Sequence, residues 1–172
     1  MLFGAGRVPK DSARVEAFGS VDELNSALGV AAAFITDTQL FSILEDVQNE
    51  LFNIGSELAS EPGAGKAAEA GRMFQREDEK ISALEGLIDE YDAQVEPLRT
   101  FILPSGSQAG ALLHFCRTVC RRAERACVRL AREEPVNPAV LAYLNRLSDL
   151  LFVLARYVNR ADGKPETQWR KG

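Results

Sequence analysis

One stretch decides the fold class of this 172-residue chain: Ser107-Gln-Ala-Gly-Ala-Leu-Leu-His-Phe-Cys-Arg-Thr-Val-Cys-Arg-Arg-Ala-Glu-Arg-Ala-Cys-Val-Arg-Leu130. When successive residues are placed 100° apart, the apolar residues and cysteines collect on one face, and the arginines collect on the neighbouring face. Ser107 is a good N-cap and Pro135 stops the helix, so the stretch predicts one rod of roughly 40 Å ending near Glu133. Such a rod needs further helices to cover its apolar face.

The same helical periodicity recurs elsewhere in the chain, and no pair of strands is convincing. Four more helices are predicted, over about Ser20 to Ile35, Asp37 to Ser60, Glu77 to Ala93 and Asn137 to Arg160. Ser20 with Glu23 is typical of a capping box for the first of these helices, and Thr36 with Gln39 for the second.

Two segments lack this periodicity. The linker Glu61 to Arg72 contains one proline and three glycines, which favours a surface loop. The tail Ala161 to Gly172 is polar and is expected to fray. Because no internal repeat or second core is evident, residues 1–172 are predicted to form one domain, an all-α, up-and-down five-helix bundle.

Composition excludes several classes of function. The net charge of −5 argues against a general nucleic-acid binder. No unbroken apolar run approaches the roughly 20 residues of a membrane span. We therefore expect neither nucleic acid nor a membrane as a partner, on charge and on apolar run length respectively. A cytoplasmic location is expected. The single histidine, His114, excludes motifs that need two, such as a ferritin-like di-iron site or a two-histidine zinc hydrolase site.

The arginine face of the rod has two interpretations. It is made by Arg117, Arg121, Arg125, Arg129 and Arg132, with Arg122 at its edge. One interpretation is a solvated charge face paired with Glu124, Glu133 and Glu134. The other follows from the absence of lysine in this helix, because the planar fork of arginine suits a bidentate grip on phosphate or carboxylate. A row of such forks could hold a polyphosphate or pair with carboxylates across an interface.

Polar residues also form a row on the otherwise apolar fifth helix, namely Asn145, Ser148, Asp149, Arg156 and Asn159. If buried, they must find partners, either in an internal ion-pair network or around a ligand. On the first helix, Asp22 is a candidate partner for an arginine of the rod. The cysteines Cys116, Cys120 and Cys127 are more typical of core residues than of a metal site, and His114 is expected in the core or an interface.

Several blocks resemble the ATP:cob(I)alamin adenosyltransferases of the propanediol-utilisation type. The blocks are Arg7-Val-Pro-Lys-Asp11, Arg14 to Gly29, Phe101-Ile-Leu-Pro-Ser-Gly-Ser107, Arg121-Arg-Ala-Glu-Arg125 and Asn145 to Phe152. They occur in the order and spacing of that family over nearly the whole chain. The resemblance implies a ferritin-like, cobalamin adenosyltransferase-like bundle that assembles as a homotrimer with active sites between subunits.

The resemblance also implies an activity, which is transfer of the 5′-deoxyadenosyl group of ATP to the cobalt of cob(I)alamin or cob(I)yrinate diamide, with release of triphosphate. The residues implied to bind ATP are Lys10, Arg121, Arg122, Glu124, Arg125 and Asn145, with Glu124 at its Mg²⁺. Asp22 and Arg117 would form a salt bridge between subunits beside the corrinoid, and Phe101 would displace the lower cobalt ligand. Together with Arg121, these three are the implied catalytic residues. A reductase and an adenosylcobalamin-dependent acceptor enzyme are the implied partners.

Two departures from the family pattern matter. Family members usually begin with a phosphate-enclosing segment, Thr-Arg-Thr-Gly-Asp-x-Gly, whereas this sequence starts at Met1-Leu-Phe-Gly, just past it. Either the start lies further upstream, or part of the ATP site is lacking. The second departure is Pro104-Ser-Gly in place of Pro-Gly-Gly. If residue 105 needs a positive φ, serine costs about 1 kcal/mol there and shifts Phe101. A non-catalytic corrinoid or nucleotide carrier, and a helical scaffold, are the alternatives to the enzyme.

Overall fold

The computed structural model describes residues 9–60 and 73–170 of the chain. Their helices are α1 (Ala13–Ala32), α2 (Thr38–Leu58), α3 (Glu77–Asp92), α4 (Gln108–Leu130) and α5 (Pro138–Ala161). Within these described ranges, the one β pairing is an isolated bridge between Ile102 and Gln168. The prediction of an all-α bundle of five helices is confirmed. The predicted loop over Glu61 to Arg72 and the block beginning at Arg7 fall partly or wholly outside the described residues.

The two central helices are α4 and α5. They pack against each other, while α1 packs on α4, α3 packs on α5, and α2 packs on α1. The buried apolar side chains form one continuous cluster, to which every helix contributes. By length and composition α5 could cross a membrane, but 56% of its apolar window is buried inside the bundle. Its central position therefore accounts for its apolar character.

The start of α1 differs from the prediction. The helix begins at Ala13, and the Oγ of Ser12 accepts a hydrogen bond of 3.3 Å from the backbone N–H of Val15. Ser20 is buried inside the helix, so the capping box predicted there is wrong. Similarly, α2 is capped by Asp37 rather than Thr36, because Asp37 Oδ1 accepts from two free N–H groups of the first turn, at 2.9 and 3.1 Å.

A buried arginine explains why α1 starts early. Arg14 donates from Nη1 to the carbonyl oxygens of Leu58 and Ser60, at 2.6 and 2.7 Å, and from Nε to Glu134 at 3.2 Å. A helix C-terminus leaves such carbonyls without partners, so Arg14 satisfies the end of α2. Its charge is also matched by Glu134, which follows α4 in the chain. The first turn of α1 is thus held by long-range contacts that helical periodicity does not encode.

The tail does not fray over its described part, so that prediction is wrong. The N–H of Leu103 donates to the carbonyl of Thr167 at 2.8 Å, and the N–H of Trp169 donates to the carbonyl of Phe101 at 2.8 Å. Together with the bridge between Ile102 and Gln168, these bonds pair the tail with the segment that precedes α4. The tail is ordered because its backbone groups find partners there, although its side chains are mostly polar.

Candidate functional site

The arginine face of α4 carries more positive charge than nearby acids neutralise. Arg122 pairs with Glu23 of α1 at 2.6 Å, and Arg129 contacts Glu133 at 3.8 Å. In the described parts of the chain, the exposed guanidinium of Arg121 has no ion-pair partner, and Arg125 donates only to the Arg121 carbonyl, at 3.0 Å. The charge-face interpretation predicts pairs with Glu124, Glu133 and Glu134, and among the described residues only the pair of Arg129 with Glu133 is present. What remains is a local positive surface suited to an anion.

Glu124 and Asn145, which the resemblance assigns to the ATP site, are in direct contact. Asn145 Nδ2 donates to Glu124 Oε1 at 3.0 Å, and the Nη2 of Arg146 donates to Asn145 Oδ1 at 2.7 Å. These hydrogen bonds join α4 to α5, and Glu124 lies about one helical turn from Arg121 along α4. Lys10 is exposed shortly before the N-cap of α1, and no described contact joins it to this group.

A cleft of about 740 Å³ opens next to the arginine face. It is lined by Leu98, Arg99, Thr100, Phe101, Ile102, Arg117, Asp149, Phe152 and Val153. Phe101 is 78% exposed, which is unusual for a large apolar side chain. The guanidinium carbon of Arg117 lies 5.8 Å from the centre of the Phe152 ring, and that of Arg156, which does not line the cleft, lies 5.9 Å from it. The cleft thus combines aromatic surface with cationic groups, as a large, partly apolar anionic ligand would require.

Arg117 and Asp22 are not paired within one chain. Arg117 is half-buried in the cleft, and its Nε has no hydrogen-bond partner among the described residues. Burial and the neighbouring Arg121 both lower the pKa of Arg117, because each disfavours its charged form. Asp22 is exposed in a separate groove of about 280 Å³ between α1 and α2, which is also lined by Phe18 and Phe52.

The inner face of α4 is a core surface, as predicted for its histidine and cysteines. His114 is 2% exposed, with its ring centre 5.9 Å from that of Phe152. Burial, with the nearby Arg117, lowers the pKa of His114 to about 4, so the imidazole is neutral near pH 7. The three cysteines are buried and free, and burial raises the pKa of Cys116 to about 12. These thiols are inert packing groups.

The segment that carries Phe101 is anchored by α5. Asn159 Nδ2 donates to the carbonyl of Ser105 at 2.8 Å, and its Oδ1 accepts from the backbone N–H of Ser107 at 2.9 Å. The positive φ lies at Gly106, at 127°, and not at Ser105. The expected strain at Ser105 is therefore wrong, because glycine occupies the position that requires this conformation.

Two groups at this site were not predicted from the sequence, namely Glu166 and Trp169 of the tail. Arg156 was placed in a polar row, and the structure shows that its Nε donates to Glu166 Oε1 at 2.5 Å. Trp169 meets Phe101 edge-on, with 6.4 Å between ring centres. The only available signal was a large aromatic residue within an otherwise polar tail. The ion-pair interpretation of the α5 row is thus correct for Arg156.

Comparisons with known proteins agree with this geometry. The family model described as cobalamin adenosyltransferase matches residues 1–158. The chain is 41% identical over 170 residues to the corrinoid adenosyltransferase of Bacillus subtilis, covering 96% of this chain and 84% of that relative. It is 46% identical over 157 residues to the corrinoid adenosyltransferase PduO of Salmonella typhimurium, covering 90% of this chain but 45% of that relative.

A solved structure is also similar. It is a phenylalanine-to-alanine variant of the PduO-type ATP:corrinoid adenosyltransferase from Lactobacillus reuteri, complexed with cobalamin and ATP. The TM-score is 0.92 at 37% sequence identity, with 99% of this chain and 93% of that chain covered. Both the sequence match and the fold match extend over nearly the whole chain. The chain therefore belongs to the cobalamin adenosyltransferase family.

Proposed function

We propose that this chain transfers the 5′-deoxyadenosyl group of ATP to the cobalt of a reduced corrinoid, cob(I)alamin or cob(I)yrinate diamide, and releases triphosphate. One observation carries the proposal: the guanidinium of Arg121, which forms no ion pair with the described residues, lies one helical turn from Arg117 at the aromatic cleft. A single helix thus presents an anion-binding surface and the wall of a large apolar cleft side by side. Membership of the family supports the same assignment.

The proposed reaction needs positioning and charge neutralisation rather than a general base. Cobalt(I) attacks C5′, a cobalt–carbon bond forms, and the bond between C5′ and the triphosphate oxygen breaks. The electron pair of the broken bond leaves with triphosphate, whose charge Arg121, Arg122, Arg125 and Lys10 would neutralise. The buried, neutral His114 has no part in this step.

Glu124 is our candidate for Mg²⁺. One of its oxygens accepts from Asn145, which orients the carboxylate and leaves the other oxygen available. Among the residues that the structure describes, no group of three potential ligands forms a protein cage for a metal. This fits Mg²⁺, which commonly binds through one or two carboxylates together with the phosphates of a nucleotide. When bound, Mg²⁺ would neutralise charge on the phosphate oxygens.

Phe101 would act on the lower face of the corrinoid. Its ring projects into the cleft, and a phenyl group offers cobalt no ligand atom. By occupying the position of the lower ligand, the ring would leave a four-coordinate corrinoid, which accepts an electron more readily than one with an axial ligand. A reductase would supply that electron, and an adenosylcobalamin-dependent enzyme would receive the product in the cytoplasm.

The active site requires a second copy of the chain, and we propose a homotrimer. Arg117 has no ion-pair partner among the described residues, and its Nε has no hydrogen-bond partner there, whereas Asp22 is exposed in a different groove. Phe52, in the same groove as Asp22, is 66% exposed, which favours an interface there. Asp22 of one copy would pair with Arg117 of the next and close the corrinoid cleft.

The proposed activity is tested by mixing the purified protein with ATP, Mg²⁺ and chemically reduced cobalamin. We expect adenosylcobalamin, followed by its absorption spectrum, and triphosphate to form one for one. The assay is repeated on a chain extended by Thr-Arg-Thr-Gly-Asp-x-Gly, which tests whether that segment completes the ATP site. If both chains bind ATP and cobalamin without forming product, the carrier alternative is correct, and if neither ligand binds, the scaffold alternative is correct.

The proposed sharing of the site is tested by complementation. Asp22→Ala and Arg117→Ala should each abolish most activity, because every site then lacks one partner. Reassembling the two variants together at equal amounts should restore activity at about a quarter of the sites, since those sites combine both intact residues. A mixture that stays as inactive as the separate variants would refute a shared site.

A further inference from the structure

We infer that Arg156 is a positioning residue: through Glu166 and the backbone of Glu96, it holds the wall of the cleft that presents Phe101. The inference rests on the proposed function, because it gives Arg156 a part in placing Phe101 against the corrinoid. Arg156 lies on α5 and does not line the cleft itself.

The first support is the set of contacts around Arg156, which is 3% exposed. Its Nε donates to Glu166 Oε1 and its Nη2 donates to the carbonyl of Glu96, both at 2.5 Å. Its Nη1 lies 3.8 Å from Asp92 Oδ1 at the end of α3. One guanidinium therefore joins α5 to three separate segments: the end of α3, the segment leading to Phe101, and the tail.

The second support is the way the tail holds Phe101. Glu166 immediately precedes the residues that pair with the Phe101 segment. Thr167 accepts from the N–H of Leu103, and Trp169 donates to the carbonyl of Phe101, both at 2.8 Å. The Trp169 ring also packs edge-on against the Phe101 ring. Both the backbone and the ring of Phe101 thus depend on a tail that Arg156 anchors.

The third support is the energetic character of this network. A buried guanidinium pays a large desolvation penalty, and a buried ion pair is often no more stabilising than apolar residues of similar volume. What the guanidinium provides here is a fixed geometry, because its fork engages two directions at once. Its contact with the ring of Phe152 extends this geometry to a residue of the cleft, 5.9 Å from the ring centre.

The test uses Glu166→Gln in the full chain, because removing the buried Arg156 could prevent folding. Glu166 is 28% exposed, and glutamine has nearly the same shape and keeps an oxygen that can accept from Arg156, so the change weakens the contact without removing the hydrogen bond. Glu96→Gln is the matched control, because the Glu96 side chain is exposed and its carbonyl is unchanged. Far-ultraviolet circular dichroism checks that both variants retain the helices.

Trp169 is the single tryptophan of the chain, so its fluorescence reports on the tail without any catalytic assay. We expect quenching by acrylamide to rise roughly twofold in Glu166→Gln, because local opening exposes the indole, and to stay at the wild-type level in Glu96→Gln. Unchanged quenching in Glu166→Gln would overturn the inference.

The activity readout separates positioning from general damage. Turnover of base-on cobalamin should fall about tenfold in Glu166→Gln, whereas turnover of cobinamide, which lacks the lower base, should stay within about twofold. Equal losses with both corrinoids, or no loss with either, would overturn the inference. If the wild-type protein adenosylates neither corrinoid, the proposed function fails instead, and the Trp169 measurement alone decides whether Arg156 and Glu166 hold the Phe101 wall.

Discussion

The arginines of α4 and the polar row of α5 lie on the two central helices, but they have opposite surroundings. Arg156 on α5 is 3% exposed and contacts acidic groups from two segments. Arg121 on α4 is exposed, and no ion pair engages it within the described residues. A buried charge must be matched by its own chain, whereas an exposed charge is matched by water or by a ligand. Arg156 therefore helps to build the site, whereas Arg121 is available to bind a ligand.

The same contrast holds between the two faces of α4 itself. The inner face carries neutral groups such as His114 and the buried thiols, while the outer face carries the exposed guanidinium groups. Arg117 lies between these surfaces, half-buried and without an ion-pair partner in residues 9–60 and 73–170. It is therefore the arginine for which a carboxylate from another copy would matter most.

The contrast between the buried and the exposed arginines is tested most directly by removing one exposed cation. Arg121→Ala should lower kcat/KM for adenosylation by about 100-fold, because a charge-assisted contact to the departing triphosphate is lost. Arg132→Ala is the matched control, since it removes an exposed arginine in the turn just past the end of α4, and it should retain turnover close to wild type. Steady-state kinetics with varied ATP measures both. Equal losses in the two variants would mean that only the total charge matters.

The inner face of α4 predicts a dependence of stability on pH. The pKa of His114 is about 4 in the folded protein, against 6.5 ordinarily. Between these values the unfolded chain binds a proton that the folded protein does not, so the free energy of unfolding falls as the pH drops. Wild type should lose about 2 kcal/mol more than His114→Leu between pH 7 and pH 5. Urea unfolding at both pH values measures this difference, and identical losses would contradict a neutral buried imidazole.

The fit of Asn159 against α4 can be tested through two glycines. A Cβ at Gly110 would lie 1.9 Å from Asn159 Oδ1, whereas a Cβ at Gly86 of α3 meets nothing within 4 Å. Gly110→Ala should therefore lower the free energy of unfolding by about 2 kcal/mol through overpacking. Gly86→Ala should raise it by about 0.5–1 kcal/mol, because alanine favours a helix. Thermal unfolding compares the two, and a neutral Gly110→Ala would show that Asn159 moves freely.

The smallest expected effect concerns Phe101, whose exposed ring lines the cleft. Phe101→Ala should slow adenosylation of base-on cobalamin about tenfold more than that of cobinamide, because only cobalamin has a lower base to displace. Parallel progress curves with the two corrinoids give this ratio. A ratio near that of wild type would remove the proposed role of Phe101 and leave it as a wall of the cleft.

Local patterns predicted most of the fold but not all of its boundaries. The periodicity that identified α2 through α5 comes from residues three and four positions apart, so it can be read without the tertiary structure. The start of α1 was missed because Arg14 is buried through contacts with Leu58 and Glu134, 44 and 120 positions away. The order of the tail was missed because its partners lie on the segment that carries Phe101.

The candidate site was predictable to a similar degree. The arginine face follows from helical geometry, and the assignment of Glu124 and Asn145 to an ATP site follows from the resemblance to a family, whereas the contact between these two residues is tertiary. By contrast, Glu166 and Trp169 gave only a weak local signal, because their importance depends on a cleft that exists only after folding. Ser105 was misjudged for a related reason, since the positive φ falls on the next residue, Gly106.

By itself, the sequence determined the helices, the composition of the α4 faces and the family, because these depend on side-chain order along the chain. Only the tertiary structure decided which charges are satisfied. In the tertiary structure Arg156 pairs with Glu166, and Arg14 donates to the end of α2. Arg117 and Arg121 have no acidic partner among the described residues. The physical reason is that pairing depends on burial and on distance in space, and neither can be read from neighbouring residues alone.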